Sequence, residues 1–315
     1  MEFKGRALYN ILQISVKEDS SIRAEPWQIL DYRSLSEEEL LQRLYKLHPS
    51  LNKENFFLYA ETCQSPEELV ECLWLQEEDL VGQEKTYLLL FEFWRRCLPG
   101  RQSLSIFCDE LDALISQFDE GVDMEDEKWH VILSELEDIL DRNTDLKTDP
   151  KEIFTSILQY TAHDIERFLY DYIFELIEEE NEILATSLIE AFDDYVLEKK
   201  WLSLLRARLL SSSRIDVWTG IIHRLLEEEE ENPNLPFLME VFSLLKEQDD
   251  APLFFKCIKQ ILPIIKPDSD LQELLQDTAE FCRNLHKDSL EKSILNILQK
   301  KAFNTKEIEK LLSTS

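Results

Sequence analysis

The scarcity of glycine constrains this chain more than any other feature of its sequence. Only five glycines occur among 315 residues, where a typical globular protein of this length has roughly four times as many. Glycine supplies the left-handed backbone conformations that tight β-hairpins and phosphate-binding loops require. A chain with so few glycines must consist mainly of helices joined by short polar connections. We therefore expect an all-α fold.

Local patterns agree with this expectation. Apolar residues recur at the three- and four-residue spacing of amphipathic helices. Ser36-Glu37-Glu38-Glu39 has the pattern of a capping box, in which a hydroxyl and a carboxylate satisfy the first free N–H groups of a helix. Ser65-Pro66 and Asp149-Pro150 each place a capping side chain before a proline at the first helical position. Pro99-Gly100 and Gly121 predict helix ends. The whole pattern predicts about fifteen to seventeen helices and no β-strand.

One internal repeat is visible. Leu176-Ile177-Glu178 matches Leu225-Leu226-Glu227 at an offset of 49 residues, and Leu188–Phe192 matches Leu238–Phe242 at an offset of 50. The polar connection Asn143–Pro150 predicts a domain boundary. We therefore expect an N-terminal helical domain over residues 1–148 and a helical-repeat region of stacked, α-solenoid-like helix pairs over residues 149–303. Residues 304–315 are expected to form a C-terminal tail or a short helix.

Two resemblances follow from these stretches. The run Glu180–Phe192, with Ala185 inside the second helix of a predicted pair, resembles a tetratricopeptide helix pair, although the spacing is nearer that of HEAT repeats and Asn181 stands at the turn. The stretch Tyr160–Leu210, beginning Y-T-A-H-D-I-E-R-F-L-Y-D-Y, is similar to uncharacterised proteins of chlamydia-like bacteria. The first resemblance implies a helical-repeat fold; the second implies no activity.

The net charge of −31 is concentrated in the middle of the chain. Residues 101–200 contain 28 acidic and 8 basic side chains. Such a surface disfavours direct contact with nucleic acid or with an anionic membrane, because both need clusters of Lys and Arg. It suits a basic protein or peptide, or it serves solubility alone. Residues 1–13 lack the pattern of a secretory signal, and the six sparse cysteines suggest reduced thiols. We expect a cytoplasmic protein without a cofactor; the sequence leaves its oligomeric state open.

Three motifs could carry chemistry. His163-Asp164 is an HD dipeptide, of the kind that holds metals in one class of phosphohydrolases, and Glu127 and His130 form a single Glu-x-x-His. Each would need further ligands that the spacing of the other histidines does not supply. Cys108 lies near a predicted helix start, but Asp109 and Glu110 beside it should raise its pKa and make the thiol inert. Packing and capping roles are the simpler interpretation of all three motifs.

The leading hypothesis is a non-enzymatic scaffold, adaptor or chaperone-like holder of a basic partner. Acidic residues at predicted helix ends and turns are its candidate binding residues; they are Glu178, Glu179, Glu180, Asp193, Asp194, Glu227, Glu228, Glu229 and Glu230. Two alternatives stay open. One is an all-helical metal-dependent enzyme with scattered His, Asp and Glu ligands, which requires His130, His163 and His223 to meet in space. The other is an acidic mimic of nucleic acid, which requires a regular row of carboxylates.

Overall fold

The computed structural model describes residues 4–74, 79–122, 126–144, 148–211, 214–266, 269–300 and 305–313. Within these ranges the chain forms seventeen α-helices, one short 3-10 helix at Tyr32–Ser34 and no β-strand. The α-helices are α1 Ala7–Glu18, α2 Glu37–Leu47, α3 Lys53–Ala60, α4 Pro66–Leu73, α5 Leu80–Cys97, α6 Leu104–Asp119, α7 Asp126–Asn143, α8 Pro150–Leu158, α9 Ile165–Glu178, α10 Glu182–Phe192, α11 Lys199–Leu210, α12 Ile215–Glu228, α13 Leu235–Lys246, α14 Ala251–Ile261, α15 Ser269–Asn284, α16 Asp288–Lys300 and α17 Thr305–Ser313. The all-α prediction is confirmed.

The predicted helix starts carry the expected caps. Ser36 Oγ accepts a hydrogen bond from the backbone N–H of Glu39, and the Glu39 carboxylate accepts one from the backbone N–H of Ser36, so the capping box is complete. The side chains of Ser65 and Asp149 accept from backbone N–H groups at the starts of α4 and α8. These bonds satisfy donors that have no partner inside the helix. Short-range sequence signals are therefore sufficient to place these three starts.

Three helices end in the same left-handed turn. Gly121, Glu180 and His286 have φ angles of 68°, 62° and 56° and follow α6, α9 and α15. After α9, the N–H of Glu180 donates to Ile177 O (3.1 Å) and the N–H of Asn181 donates to Leu176 O (2.8 Å), which is the bonding pattern of a Schellman motif. Glycine is the usual residue at the left-handed position, and only Gly121 follows that preference. Glu180 and His286 adopt a conformation that costs an ordinary residue roughly 1–2 kcal/mol.

The chain divides into two compact units. The first unit comprises Met1–Leu169 together with Asp194–Val196. Its core surrounds α5, whose residues from Tyr87 to Trp94 are all buried, as expected for a central helix that is covered on every side. Glu92 is the charged member of this run, and its carboxylate pairs with Arg95 and Arg96 one turn further along.

The second unit comprises Tyr170–Asp193 and Leu197–Ser315. Consecutive helices pack in pairs: α11 against α12, α13 against α14, and α15 against α16. Phe254 of α14 stacks on Phe281 of α15 with 3.6 Å between ring centroids, so the apolar core continues from one pair to the next. The predicted repeat corresponds to the helix series α9–α11 and α12–α14, and its interpretation as a repeated unit stays a prediction, as does the domain boundary at residue 149.

Glu180 provides a direct test of the energy of the left-handed turn. We expect Glu180→Gly to raise the free energy of unfolding by about 0.5–1 kcal/mol, because relief of roughly 1–2 kcal/mol of backbone strain exceeds the roughly 0.4–1 kcal/mol of extra entropy that glycine gives to the unfolded chain. Urea unfolding followed by circular dichroism measures the difference. Gly121→Ala is the matched control and should lower the free energy of unfolding, since alanine is strained at that φ. No gain in Glu180→Gly would show that the turn holds no relievable strain.

Candidate interaction surface

The stretch Tyr170–Asp193, which we call the acidic segment, contains the second part of α9 and all of α10. It carries eight carboxylates and no Lys, Arg or His. It is the core of a longer cation-free run, because the nearest basic residues in the sequence are Arg167 and Lys199. The segment must therefore rely on distant parts of the chain for any neutralising cation.

The fold supplies such cations to only part of the segment. Arg208 of α11 lies 3.7 Å from Glu178, and its guanidinium also stacks over the ring of Phe174 at 4.7 Å. Asp193, just after α10, lies 3.4 Å from both Lys199 and Arg206. These contacts tie the end of α9 and the residue after α10 to α11. Within the acidic segment, the predicted binding residues Glu178 and Asp193 thus have internal partners.

Four further carboxylates of the segment are exposed and make no ion pair with any described part of the chain. They are Glu175 and Glu179 near the end of α9 and Glu182 and Glu190 on α10. The left-handed Glu180 between the two helices is exposed as well. Glu179 and Glu180 are predicted binding residues; Glu175, Glu182 and Glu190 were missed, because the sequence prediction considered only helix ends and turns. Charge counting along the cation-free run could have found them.

The carboxylates at the end of α9 repel one another. Asp171, Glu175 and Glu179 recur at four-residue spacing and therefore share one face of the helix. Partial burial raises the pKa of Glu175 above its ordinary value, and the neighbouring charges of Glu179 and Asp171 raise it further. Glu175 and Glu179 also lie in and just after the last turn of α9, where the helix dipole disfavours negative charge. Neutralisation by an incoming cation would relieve both effects.

An exposed isoleucine lies within this negative surface. Ile183, in the first turn of α10, is 88% exposed. Ser187 and Glu190 follow it at the spacing of one helix face and are exposed too. No other large hydrophobic side chain is as exposed among the residues that the structure describes. The acidic segment therefore combines an exposed apolar side chain with carboxylates that have no ion-pair partner in the described part of the chain.

The second predicted group, Glu227–Glu230 at the end of α12, has a different environment. Three of these carboxylates have exposed basic neighbours: Glu227 lies 3.3 Å from His223 Nδ1, Glu228 lies 3.7 Å from Arg224 Nε, and Glu230 lies 2.9 Å from Lys256 Nζ. Exposed pairs of this kind contribute about 0–1 kcal/mol each. They leave this group better neutralised than the acidic segment.

Glu229 has a structural role. Its side chain is almost fully buried; its carboxylate lies 2.9 Å from Lys200 Nζ and accepts a hydrogen bond from the backbone N–H of Asn234. The Lys200 ammonium lies over the Phe237 ring, 4.9 Å from its centroid. These contacts hold the connection between α12 and α13 against α11. Asp194, the last predicted binding residue, is exposed and belongs to the first unit.

The two residues of the HD dipeptide, which suggested a metal site, make structural contacts. His163 Nδ1 lies 3.1 Å from Asp112 Oδ1, and the same carboxylate accepts the backbone N–H groups of Ala162 and His163. Asp164 caps α9 by accepting the backbone N–H of Arg167 at 3.1 Å. The HD dipeptide thus anchors the start of α9 to α6. Asp112 is 51 residues away in sequence, which is why spacing alone did not reveal it.

Neighbouring Asp109 completes a buried ionic cluster in the first unit. It pairs with Arg33 and with Arg6, and Asn10 Nδ2 donates to both Asp109 and Asp112. Burial raises the pKa of the Cys108 thiol well above its ordinary value, and the charges of Asp112 and Asp109 raise it further. Asp109 thus raises the pKa of Cys108, as the sequence indicated. The second carboxylate that raises this pKa is Asp112, whereas the sequence had suggested Glu110.

The other two histidines of the enzymatic hypothesis are exposed. His130 lies on the surface of α7, and His223 is about half exposed beside Glu227. Across the described ranges, no group of three or more His, Cys, Asp and Glu side chains is arranged to hold a metal ion. Likewise, no helix within those ranges has the length and apolarity that a bilayer crossing requires.

Comparisons with known proteins give no match among protein-family models, curated proteins or solved structures.

The repulsion around Glu175 predicts a pH-dependent stability. Because the folded state raises the pKa of Glu175, it binds this proton more tightly than the unfolded state, so stability falls as pH rises through the titration. We expect Glu175→Gln to raise the free energy of unfolding at pH 7 by about 0.2–0.5 kcal/mol. The gain should vanish below roughly pH 4, where the wild-type carboxyl is protonated too. Urea unfolding at both pH values measures it. Glu54→Gln, which has no charged residue one turn away, should give no gain; equal gains in both variants would contradict the repulsion.

Proposed function

We propose that the chain is a non-enzymatic interaction scaffold of the cytoplasm, built from helix pairs of the tetratricopeptide or HEAT kind, whose acidic segment binds a basic and amphipathic protein segment. The observation that supports this proposal most directly is the combination of the exposed Ile183 with four carboxylates that make no ion pair with the described residues; they are Glu175, Glu179, Glu182 and Glu190. The proposal narrows the binding site from the nine carboxylates that the sequence suggested to one stretch of 24 residues.

Charge alone would not give a useful affinity. Exposed ion pairs contribute about 0–1 kcal/mol each and mainly speed up association. Burial of an isoleucine side chain contributes about 1.5–3 kcal/mol. A partner that covers Ile183 with an apolar side chain and brings Lys or Arg to the surrounding carboxylates gains from both. An amphipathic basic helix has this arrangement, with its apolar and cationic residues on adjoining faces.

The backbone at Glu180 supports the same site. A carboxylate at a left-handed position costs stability that glycine or asparagine would largely recover. Strained residues of this kind concentrate at functional sites, and an observed outlier is a reason to propose a function there. We infer that the Glu180 carboxylate contributes to binding. His286 has the same strained backbone outside the acidic segment and provides a control.

The first experiment tests the charges. The wild-type chain and a variant with Glu175, Glu179, Glu182 and Glu190 changed to Gln are titrated with a labelled amphipathic Lys/Leu peptide by fluorescence anisotropy. We expect the wild type to bind, binding to weaken steeply between low salt and about 0.5 M salt, and the variant to bind at least about tenfold more weakly. The matched control changes four exposed glutamates of the first unit to Gln; they are Glu18, Glu25, Glu54 and Glu61.

Equal losses in the two quadruple variants would show that only net charge matters and would remove the acidic segment as a specific site. A peptide affinity that does not change with salt concentration would contradict the electrostatic part of the proposal. A scrambled peptide of the same composition separates the two contributions: it keeps the charge but loses the apolar face, and it should bind more weakly than the amphipathic peptide.

The second experiment tests the apolar contact. We expect Ile183→Ser to leave the free energy of unfolding unchanged within about 0.5 kcal/mol, because the side chain is exposed. The same change should weaken peptide binding about tenfold, since it removes most of the apolar area at the contact. Ile215→Ser, at a residue that is 65% exposed in the same unit, should leave binding unchanged. Unaltered binding by Ile183→Ser would refute the apolar contact.

The third experiment couples stability to binding. Glu180→Gly should be more stable than the wild type and bind the peptide more weakly. His286→Gly should be more stable and bind as the wild type does. If both variants bind equally well, the Glu180 carboxylate has no part in recognition.

A further inference from the structure

A groove in the first unit lies between the second half of α2 and the start of α3. Its volume is about 360 Å³, which is within the range of sites that hold a ligand group. On the α2 side it is lined by Leu41, Tyr45 and Lys46. On the α3 side it is lined by Leu51, Asn52 and Lys53. The groove shares no residue with the acidic segment.

Apolar surface is exposed along this groove. The stripe of α2 that contains Leu40 and Leu44 is buried in the core of the unit. Leu41 and Tyr45, four residues apart, form a second apolar stripe beside the first; Leu41 is half-buried and Tyr45 is 58% exposed. Three more exposed large hydrophobic side chains follow on α3; they are Phe57, Leu58 and Tyr59. Clustered apolar side chains on a protein surface are typical of a contact site for a partner.

The charged side chains that line the groove are cations. Lys46 and Lys53 are exposed, and no Asp or Glu occurs among its described lining residues. Lys53 Nζ lies 2.5 Å from Glu37 Oε1, an exposed ion pair of the kind that a carboxylate from a partner can replace at little cost. Lys46 makes no ion pair with any residue that the structure describes. Residues 40–53 as a whole contain three Lys and Arg side chains and no carboxylate.

Two helix ends meet at the groove, and their dipoles oppose each other. The last turn of α2, which contains Lys46, contributes about half a negative charge, and the start of α3 contributes about half a positive charge. The side chain of Asn52 caps α3 by accepting a hydrogen bond from the backbone N–H of Asn55. Because the two partial charges nearly cancel, the two ammonium groups decide the sign of the site. The groove therefore favours an anionic group.

Comparison with other cations of the chain shows what is unusual about this groove. The four cations of α11 all have carboxylate partners inside the fold; they are Lys199, Lys200, Arg206 and Arg208. Arg95 and Arg96 of α5 both pair with Glu92. Lys46 differs from all of these, because it has no internal carboxylate in the described part of the chain and lies beside an exposed aromatic ring.

We propose that this groove binds an acidic amphipathic helix of a partner protein. Apolar side chains on one face of the partner helix cover Leu41 and Tyr45, and Asp or Glu side chains beside them pair with Lys46 and Lys53. This is the helix-in-groove mode of recognition. A nucleic acid or an anionic membrane would need a larger cluster of Lys and Arg. The partner is opposite in charge to the one proposed for the acidic segment, so this inference goes beyond the proposed function and can fail without affecting it.

The test titrates the full chain with a labelled Glu/Leu peptide by fluorescence anisotropy. The peptide carries Leu at the three- and four-residue spacing of one helix face and Glu at the other positions. We expect it to bind, and we expect its affinity to fall as salt is raised to about 0.5 M. A scrambled peptide of the same composition keeps the charge but loses the apolar face, and it should bind at least about tenfold more weakly.

Two variants of the groove are compared with matched controls. Lys46→Glu should weaken peptide binding at least about tenfold. Lys17→Glu makes the same charge change at an exposed lysine in the last turn of α1 and should bind as the wild type does. Tyr45→Ser should also weaken binding at least about tenfold, whereas Val131→Ser, at a residue of α7 that is 60% exposed, should not change it. Circular dichroism checks that all four variants are folded.

The proposal is overturned if the Glu/Leu peptide does not bind, if the scrambled peptide binds equally well, or if Lys46→Glu and Tyr45→Ser both bind within about twofold of the wild type. Equal losses in Lys46→Glu and Lys17→Glu would show that net charge alone is responsible, and would also overturn it. Sedimentation with phosphatidylserine vesicles tests the other anionic ligand. Wild-type protein that sediments with the vesicles, together with Lys46→Glu that does not, would assign the groove to a membrane instead of a helix.

Discussion

The burial of one apolar face on each helix is the constraint on which the other features of this protein depend. A chain with few glycines forms mainly helices, and helices with apolar stripes must pack against one another to bury those stripes. Packing of α11 on α12, α13 on α14 and α15 on α16 leaves the polar faces outside. Since acidic residues outnumber basic ones by 65 to 34, most of that exterior is negative. The question of function then becomes where this negative charge is left without compensation.

The acidic segment and the group Glu227–Glu230 look alike in sequence, but their charges are compensated to different extents. The group after α12 receives Lys256 and Lys200 from neighbouring helices, and Glu229 is buried as part of the fold. In the acidic segment, α11 supplies Arg208 to Glu178 and both Lys199 and Arg206 to Asp193. Four other carboxylates of the segment make no ion pair with the residues that the structure describes. The difference comes from which helix packs beside each group. It is a tertiary property, and a run of glutamates does not encode it by itself.

Features that depend on residues close together in the sequence could be predicted, whereas features that depend on distant residues could not. The caps at Ser36, Ser65 and Asp149 and the turn at Gly121 depend on residues at most five positions apart, so local patterns located them. The apolar spacing gave the all-α fold for the same reason. The contact between Asp112 and His163 joins residues 51 positions apart, and no local rule could pair them. The exposed face of α10 was missed because burial depends on which helices cover it.

The left-handed turn at Glu180 shows a limit of even the local rules. The resemblance to a tetratricopeptide pair expects a small residue, usually glycine, at this turn, and the sequence has Asn181 there. The hydrogen bonds from Glu180 and Asn181 to the preceding turn place the left-handed residue one position earlier. A bulky residue can occupy this position when the bonds and packing around it are strong enough to outweigh the strain.

Several unfavourable local features of the second unit coincide in the acidic segment. The backbone strain at Glu180 is of the order of 1–2 kcal/mol, the like-charged neighbours on α9 add about 0.2–0.5 kcal/mol per pair, and Ile183 leaves an apolar side chain in water. A single ordinary substitution could remove each of these, and all of them lie within about ten residues between Glu175 and Ile183. A basic, partly apolar partner would neutralise the carboxylates and cover the isoleucine together. A purely structural account needs a separate reason for every feature, whereas the single basic partner that we propose would account for all of them.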